Sequence, residues 1–242
     1  IVGIIQFSLS KPHIPYAGWM RWHYITGAIF GIFTLTWVFS GLLSMEPWVW
    51  ASVGGTGDDI PAALAGGPLD LAAFPKLEPG VWTQALAGHA AKEVEFRRIQ
   101  GEPYYVVRGA DPEPLLVAVN PLQIRREPFS MESLVSLARE GNPDVPIVDS
   151  RIMPEFDSYY RAGGRARGQQ PPLPVLRVKF GDPDSTWFYI DPGMSRVAAR
   201  FTRRERLQRW IYHGFHSMDF SFWYYDRPLW DIGMITLLVG GI

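Results

Sequence analysis

An uncharged run of 20 residues, from Tyr24 to Leu43 ("YITGAIFGIFTLTWVFSGLL"), most constrains how this chain can fold. A helix of about 20 apolar residues is long enough to cross the hydrocarbon core of a bilayer. The averages conceal this run, since the net charge of -1 and the mean hydropathy of -0.02 are typical of a soluble protein. Nearly all the charge lies between Glu46 and Arg209. The sequence therefore predicts a transmembrane helix over 22–44 and a charged globular segment after it.

Both ends of the chain are apolar as well. The chain does not begin with Met and stops inside an apolar run, so we predict a fragment of a longer membrane protein. Residues 1–10 would end a preceding transmembrane helix, and residues 228–242 would start a further one. A cleaved signal peptide is the alternative for residues 1–10, although neither a basic n-region nor a small-residue cleavage site is visible.

The short segment 11–21 predicts the orientation of the chain in the membrane. It carries Lys11 and Arg21, and short loops rich in Lys and Arg stay in the cytoplasm. The helix would then run outward, and the long segment after it would be translocated largely regardless of its charge. Gly27 and Gly31 form a G-x-x-x-G pair, which is typical of a helix packed closely against a neighbour.

The globular segment reads as an extracytoplasmic α+β domain. We predict a linker over 45–80, which is rich in Gly, Ala and Pro, and a first α+β unit over 81–141, where a helix precedes short strands separated by turn signals. A second, weaker unit is predicted over 142–202, with a mobile basic loop at Arg161–Pro174. Residues 203–227 have the apolar spacing of an interfacial amphipathic helix followed by a connector.

Several chemistries are excluded by residue types that the chain lacks. It contains no cysteine, which excludes disulfides, thiolate zinc sites, iron–sulfur ligation and covalent attachment of c-type haem. The near-neutral charge gives no reason to expect nucleic acid as a partner. No H-E-x-x-H, G-x-S-x-G or P-loop motif occurs, and the acidic residues are scattered, with no apparent paired-carboxylate site.

Three of the five histidines are candidate ligands. His23 would lie at the cytoplasmic start of the predicted span, where an ionisable residue is a functional candidate; the alternative is an interfacial histidine beside Trp22. His213 and His216 are i and i+3 on one predicted helix, so they would share a face on the outer side. With no carboxylate or cysteine nearby they are a weak zinc signal, and the alternative is the polar face of an interfacial helix.

The predicted helix keeps these histidines apart. About 20 residues at ~1.5 Å each span roughly 30 Å, so His23 cannot share one metal with His213 or His216. A haem iron takes axial ligands on opposite faces of the macrocycle, which one helix cannot supply from i and i+3. If both places hold ligands there are two sites, one near each side of the membrane. That arrangement is expected of an electron-carrying membrane protein.

Four stretches carry a family resemblance: "WHYITGAIFGIFTLTWVFSGLL", "EPYYVVRGADPEPLLVAVNP", "TWFYIDPGMSRV" and "RLQRWIYHGFHSMDFSFWYYDRPLWD". Together they resemble the PepSY-associated transmembrane family, bacterial inner-membrane proteins with periplasmic PepSY domains between spanning helices. The resemblance covers nearly the whole chain and is strongest from Arg206 to Asp231. It implies haem b as cofactor, at two sites, with His23, His213 and His216 as axial ligands.

Two functions follow from the resemblance. The first is a haem-dependent membrane oxidoreductase that carries electrons outward and reduces an acceptor such as a ferric siderophore for iron uptake. No flavin or nicotinamide motif is present, so the donor would be another domain, another protein or the quinone pool. The alternative is a non-enzymatic membrane-anchored PepSY module, which binds a peptide or protein partner or serves as an accessory subunit of a membrane complex.

Overall fold

The computed structural model describes residues 14, 16–45, 57–86, 88–111, 113–161, 171–224 and 226–240. The predictions for residues 1–10 and for most of the basic loop after Arg161 lie outside these ranges. The chain divides into two compact units. One contains the chain up to Ala51 and again from Glu205 onward, and the other contains Ser52–Arg204.

Helix α1, Gly18–Ser44, is the main element of the first unit. Its 27 residues extend for about 40 Å at 1.5 Å per residue. The hydroxyls of Thr26 and Thr34 donate to carbonyls four residues earlier, so these polar groups are satisfied within the helix. By length and composition, Gly18–Leu43 is the one helix among the described residues that can cross a membrane. A membrane anchor and a signal sequence both have this character.

The rest of the first unit consists of shorter helical segments. Helix α5, Arg203–Gln208, enters this unit at Glu205 and runs into a π-helical turn, Arg209–Gly214, and then the single α turn α6, Phe215–Ser217. The helix predicted over this region is therefore irregular, with a wider turn in its middle. After a short α7, Ser221–Tyr224, the apolar helix α8 spans Leu229–Gly240. Asp231 lies in the first turn of α8 and pairs with Arg227.

The second unit contains two antiparallel four-stranded sheets, each with its strands in sequence order. The first sheet comprises β1 Glu93–Ile99, β2 Glu102–Arg108, β3 Leu115–Ala118 and β4 Gln123–Arg125. The second sheet comprises β5 Ile147–Met153, β6 Val175–Phe180, β7 Trp187–Asp191 and β8 Arg196–Phe201. Helices α2 Ile60–Ala65, α3 Pro79–Ala85 and α4 Met131–Glu140 accompany them. Two antiparallel sheets with accompanying helices are compatible with the α+β domain expected of this segment.

The two sheets share one hydrophobic core. Alternate residues of β2, Tyr104 and Val106, and of β6, Leu176 and Val178, belong to the same buried cluster. This follows from the period of two along a strand, which places every second side chain on one face. The two predicted α+β units therefore form one folded unit, because each sheet covers the inner face of the other.

The segment predicted as a linker, 45–80, also contributes to this core. Its described part contains α2, whose Ile60 and Leu64 are completely buried. The helix ends at Gly66, which adopts φ +71 and lies so close to Gly101 that a Cβ would collide with backbone. The small residues that suggested flexibility instead permit a short helix and a close backbone contact.

The apolar face of α4 is expected to account for much of the stability of the second unit. Leu134 is completely buried in the shared core, whereas Met131, on the same helix, is 38% exposed. Leu134→Ala should lower the free energy of unfolding by about 2–5 kcal/mol through lost transfer energy and a residual cavity. Met131→Ala should change it by about 0.5 kcal/mol or less. Denaturant unfolding of the chain in detergent measures both, and equal effects would contradict this assignment of the core.

Candidate functional site

The first unit brings His216 to the side of α1. The residues that contact it, Trp37, Ser40 and Gly41, lie in the C-terminal third of that helix. The π-helical turn just before it matters here, because π turns inside α-helices are rare and occur frequently at functional sites. Of the candidate histidines, His216 is the one that the structure packs into a defined environment.

Two aromatic rings enclose the His216 imidazole. It stacks on Trp37 with ring centroids 5.0 Å apart and an interplanar angle of 15°, and on Tyr212 at 4.8 Å and 21°. Stacked rings at this separation attract each other beyond the area that they bury. The stacking therefore orients the plane of the imidazole.

The hydrogen bonds of His216 determine which ring nitrogen carries the proton. Nδ1 lies 3.1 Å from the Trp37 carbonyl oxygen and 3.3 Å from Ser40 Oγ. A carbonyl oxygen only accepts hydrogen bonds, so Nδ1 donates to it, while the Ser40 hydroxyl donates to the same oxygen at 2.9 Å. In the neutral ring Nε2 is then the unprotonated nitrogen. An imidazole that donates one N–H to a carbonyl and presents the other nitrogen is typical of a metal ligand.

His213 is placed differently. Its ring is exposed and contacts Tyr212 edge-on at 5.1 Å. The sequence predicted that His213 and His216 share one helix face, but the π-helical turn changes the angular relation of residues i and i+3. Tyr212, rather than His213, lies alongside His216.

A buried ion pair fixes the end of the π-helical segment. The Arg209 guanidinium donates to the Asp219 carbonyl at 2.9 Å and lies 3.5 Å from its carboxylate, and the Asp219 N–H donates to the His213 carbonyl. Arginines beside a membrane would be expected to contact lipid headgroups, but Arg206 and Arg209 are buried in this unit. The pair joins the segment before His216 to the segment after it.

His23 lies far from His216 along α1. It is exposed, one to two turns into the helix. The contacts of His216 begin 14 and end 18 residues further along, about 21–27 Å at 1.5 Å per residue. The two histidines therefore cannot bind one metal ion. Among the described residues no group of three or more His, Asp or Glu side chains could hold a metal ion.

A polar cluster on the outer face of the second sheet was missed in the sequence. Arg177, which is 3% exposed, lies between two carboxylates, Asp157 at 3.3 Å and Asp149 at 3.5 Å. The Tyr189 hydroxyl donates to Asp157 at 2.7 Å. The available signal was the arginine within the otherwise apolar "VLRVKF", since a charge is rarely buried unless it is paired. Through Asp157, this cluster attaches the segment after β5 to the sheet.

Comparisons of the chain with protein-family models, with curated proteins and with solved structures found no match. The resemblance to PepSY-associated membrane proteins therefore remains an expectation, supported by the residues quoted for it.

Tyr189 makes the stability of the second unit sensitive to alkaline pH. Burial, together with the hydrogen bond to the Asp157 carboxylate, raises the pKa of Tyr189 well above its usual range. The unfolded chain releases this proton near pH 10 and the folded chain does not, so the stabilisation is complete below pH 10 and declines above it. Tyr189→Phe should be less stable than the wild type at pH 8, and the difference should shrink by up to about 1.4 kcal/mol per unit above pH 10.

Denaturant unfolding of both proteins in detergent at pH 8 and above pH 10 measures this effect. A difference in stability that stays constant across this range would contradict the role given to the Tyr189 hydroxyl.

Proposed function

We propose that this chain belongs to a membrane electron-transfer protein that binds haem b and reduces an acceptor on the outer side of a bacterial inner membrane. The observation that carries the proposal is the state of His216. Its ring is clamped between Trp37 and Tyr212, its Nδ1 proton is held by a carbonyl, and its Nε2 presents a lone pair. A ferric siderophore is the proposed class of acceptor, with iron uptake as the proposed role.

The character of α1 supports a membrane location. Its most apolar window is only 6% buried within the chain, so its side chains need another apolar environment. Trp19 and Trp22, near the N-terminal end, are 90% and 63% exposed, as expected of aromatic residues at a membrane interface. Lys11 and Arg21 favour the cytoplasm for that end. The two sheets would then lie in the periplasm.

The residues present fit a haem better than a bare metal ion. A multidentate metal site needs several converging ligands, whereas an axial site on a macrocycle needs one oriented imidazole from this part of the chain. His216 is the proposed ligand of the outer haem, with the exposed His213 as the alternative, and His23 is the proposed ligand of an inner haem. When bound, haem supplies one-electron redox chemistry.

The chain's own groups would set the geometry around that cofactor. Trp37 and Tyr212 hold the plane of the His216 ring, and the Trp37 carbonyl holds its proton. The separation of His23 and His216 along α1 supports two sites and electron transfer along the membrane normal.

A second candidate function is supported by the edge of the second sheet. Strand β5 is at the end of its sheet, and its Val148 and Ile152 are 64% and 40% exposed. An extended peptide adds to such an edge through main-chain hydrogen bonds, with its side chains against exposed apolar residues. In this second proposal the chain is a membrane-anchored module that binds a peptide or protein partner, and the histidines serve to pack the helices rather than to bind a cofactor.

A visible spectrum of the chain, purified in detergent after expression with ample haem, tests the first proposal. We expect a low-spin b-type signal in the reduced-minus-oxidised spectrum. His216→Ala should remove the outer component of that signal and His23→Ala the inner component. His213→Ala is the matched control, three residues from His216 and exposed, and should leave both components in place.

Other outcomes would redirect the assignment. Loss of the outer component in His213→Ala but not in His216→Ala would identify His213 as the ligand of the outer haem. A flat spectrum from folded protein would contradict haem binding and favour the peptide-binding module.

A further inference from the structure

Gly41 gives the His216 ring room to lie against α1. A Cβ at this position would lie 3.3 Å from Cε1 of His216, closer than most such contacts, and 3.5 Å from Nδ1, an ordinary contact distance. The same construction at Gly27 or Gly31, on the same helix, meets nothing within 4 Å. The imidazole thus lies against the surface that a side chain at position 41 would cover, whereas Gly27 and Gly31 have open space beside them.

We infer that Gly41 and Ser40 are positioning residues that keep the His216 proton on Nδ1 and thereby lower the reduction potential of an iron bound at Nε2. The inference rests on the proposed haem function. It adds that Gly41 and Ser40 help to set the reduction potential of the outer haem. The evidence for this inference is that His216 contacts the Trp37 carbonyl, Ser40 and the backbone of Gly41.

The first step of the argument concerns the proton. An N–H that donates to a carbonyl gives the imidazole more negative character and makes its other nitrogen a stronger donor to a metal. Ser40 is 2% exposed, so its hydroxyl is shielded from water, whereas the hydrogen bond between His216 and the Trp37 carbonyl remains accessible to it. Its hydroxyl donates to the Trp37 carbonyl and leaves a lone pair facing Nδ1 at 3.3 Å. Both oxygen atoms therefore favour a protonated Nδ1.

The second step concerns the iron. A stronger axial donor stabilises the ferric state more than the ferrous state, so it lowers the reduction potential. The hydrogen bond at Nδ1 depends on how close the ring lies to the helix, and Trp37 and Tyr212 prevent the ring from tilting to preserve it. A methyl group at position 41 would push the ring away from the carbonyl by a few tenths of an ångström. The donor strength of Nε2 should fall as a result.

The tautomer of His216 can be measured without haem. The whole chain, labelled with 15N-histidine and purified in detergent at a pH where histidines are neutral, is compared with Gly41→Ala and with the matched control Gly27→Ala. We expect an Nδ1-protonated histidine signal in the wild type and in Gly27→Ala, assigned to His216 by its loss in His216→Gln. In Gly41→Ala this signal should be lost or strongly reduced. Identical spectra of the two alanine variants would overturn the inference.

Redox titration of the outer haem tests the predicted effect on the reduction potential. The outer haem is identified as the one whose signal is lost in His216→Ala. Gly41→Ala should raise its midpoint potential relative to the wild type, and Gly27→Ala should leave it unchanged. Both substitutions favour helix, so both variants should fold. Ser40→Ala should also change the potential, and Ser40→Thr, which retains the hydroxyl, should restore it.

The outcomes separate the inference from the function on which it rests. A wild-type chain without haem would overturn both. A wild-type chain with haem on His216, and equal potentials in Gly41→Ala and Gly27→Ala, would overturn the inference alone and leave the proposed function in place.

Discussion

The hydrogen bond between His216 Nδ1 and the Trp37 carbonyl is the interaction on which the candidate site depends. Without it the ring would be one more aromatic group against an apolar helix, with its proton free to occupy either nitrogen. The π-helical turn contains Tyr212, whose ring stacks on the imidazole. The Arg209–Asp219 pair then holds the segments on either side of the turn together. Local backbone geometry, stacking and a buried ion pair thus act on one imidazole.

The second unit depends on a different constraint, the need of each sheet to cover its apolar face. One four-stranded sheet leaves that face exposed unless another layer packs on it. Here the second sheet, α2 and α4 supply the layer, and residues from both sheets meet in one buried cluster. The Arg177 cluster lies on the opposite face of the second sheet. It stabilises a connection rather than the core.

Much of the local structure was predictable because it follows from short-range patterns. The uncharged run specified α1, alternation specified most strands, and Ser130 and Gly141 bound α4 as sequence rules predict. The prediction of a linker over 45–80 missed α2, because Gly, Ala and Pro are compatible both with a flexible tether and with a tight turn. Only the burial of Ile60 and Leu64 distinguishes these two structures. The shared face of His213 and His216 was wrong because a π-helical turn has no clear sequence signature.

The sequence by itself determined which histidines were candidates and that His23 is separated from the other two, since the rise of a helix is fixed and the intervening run is uncharged. It also determined the α+β character of the charged segment. Only the tertiary structure shows that His216 packs against α1, because this depends on contacts with residues about 180 positions earlier in the chain: Trp37, Ser40 and Gly41. Spacing along a helix cannot reveal what its faces meet, and the meaning of a small residue such as Gly41 depends on the side chain that packs against it.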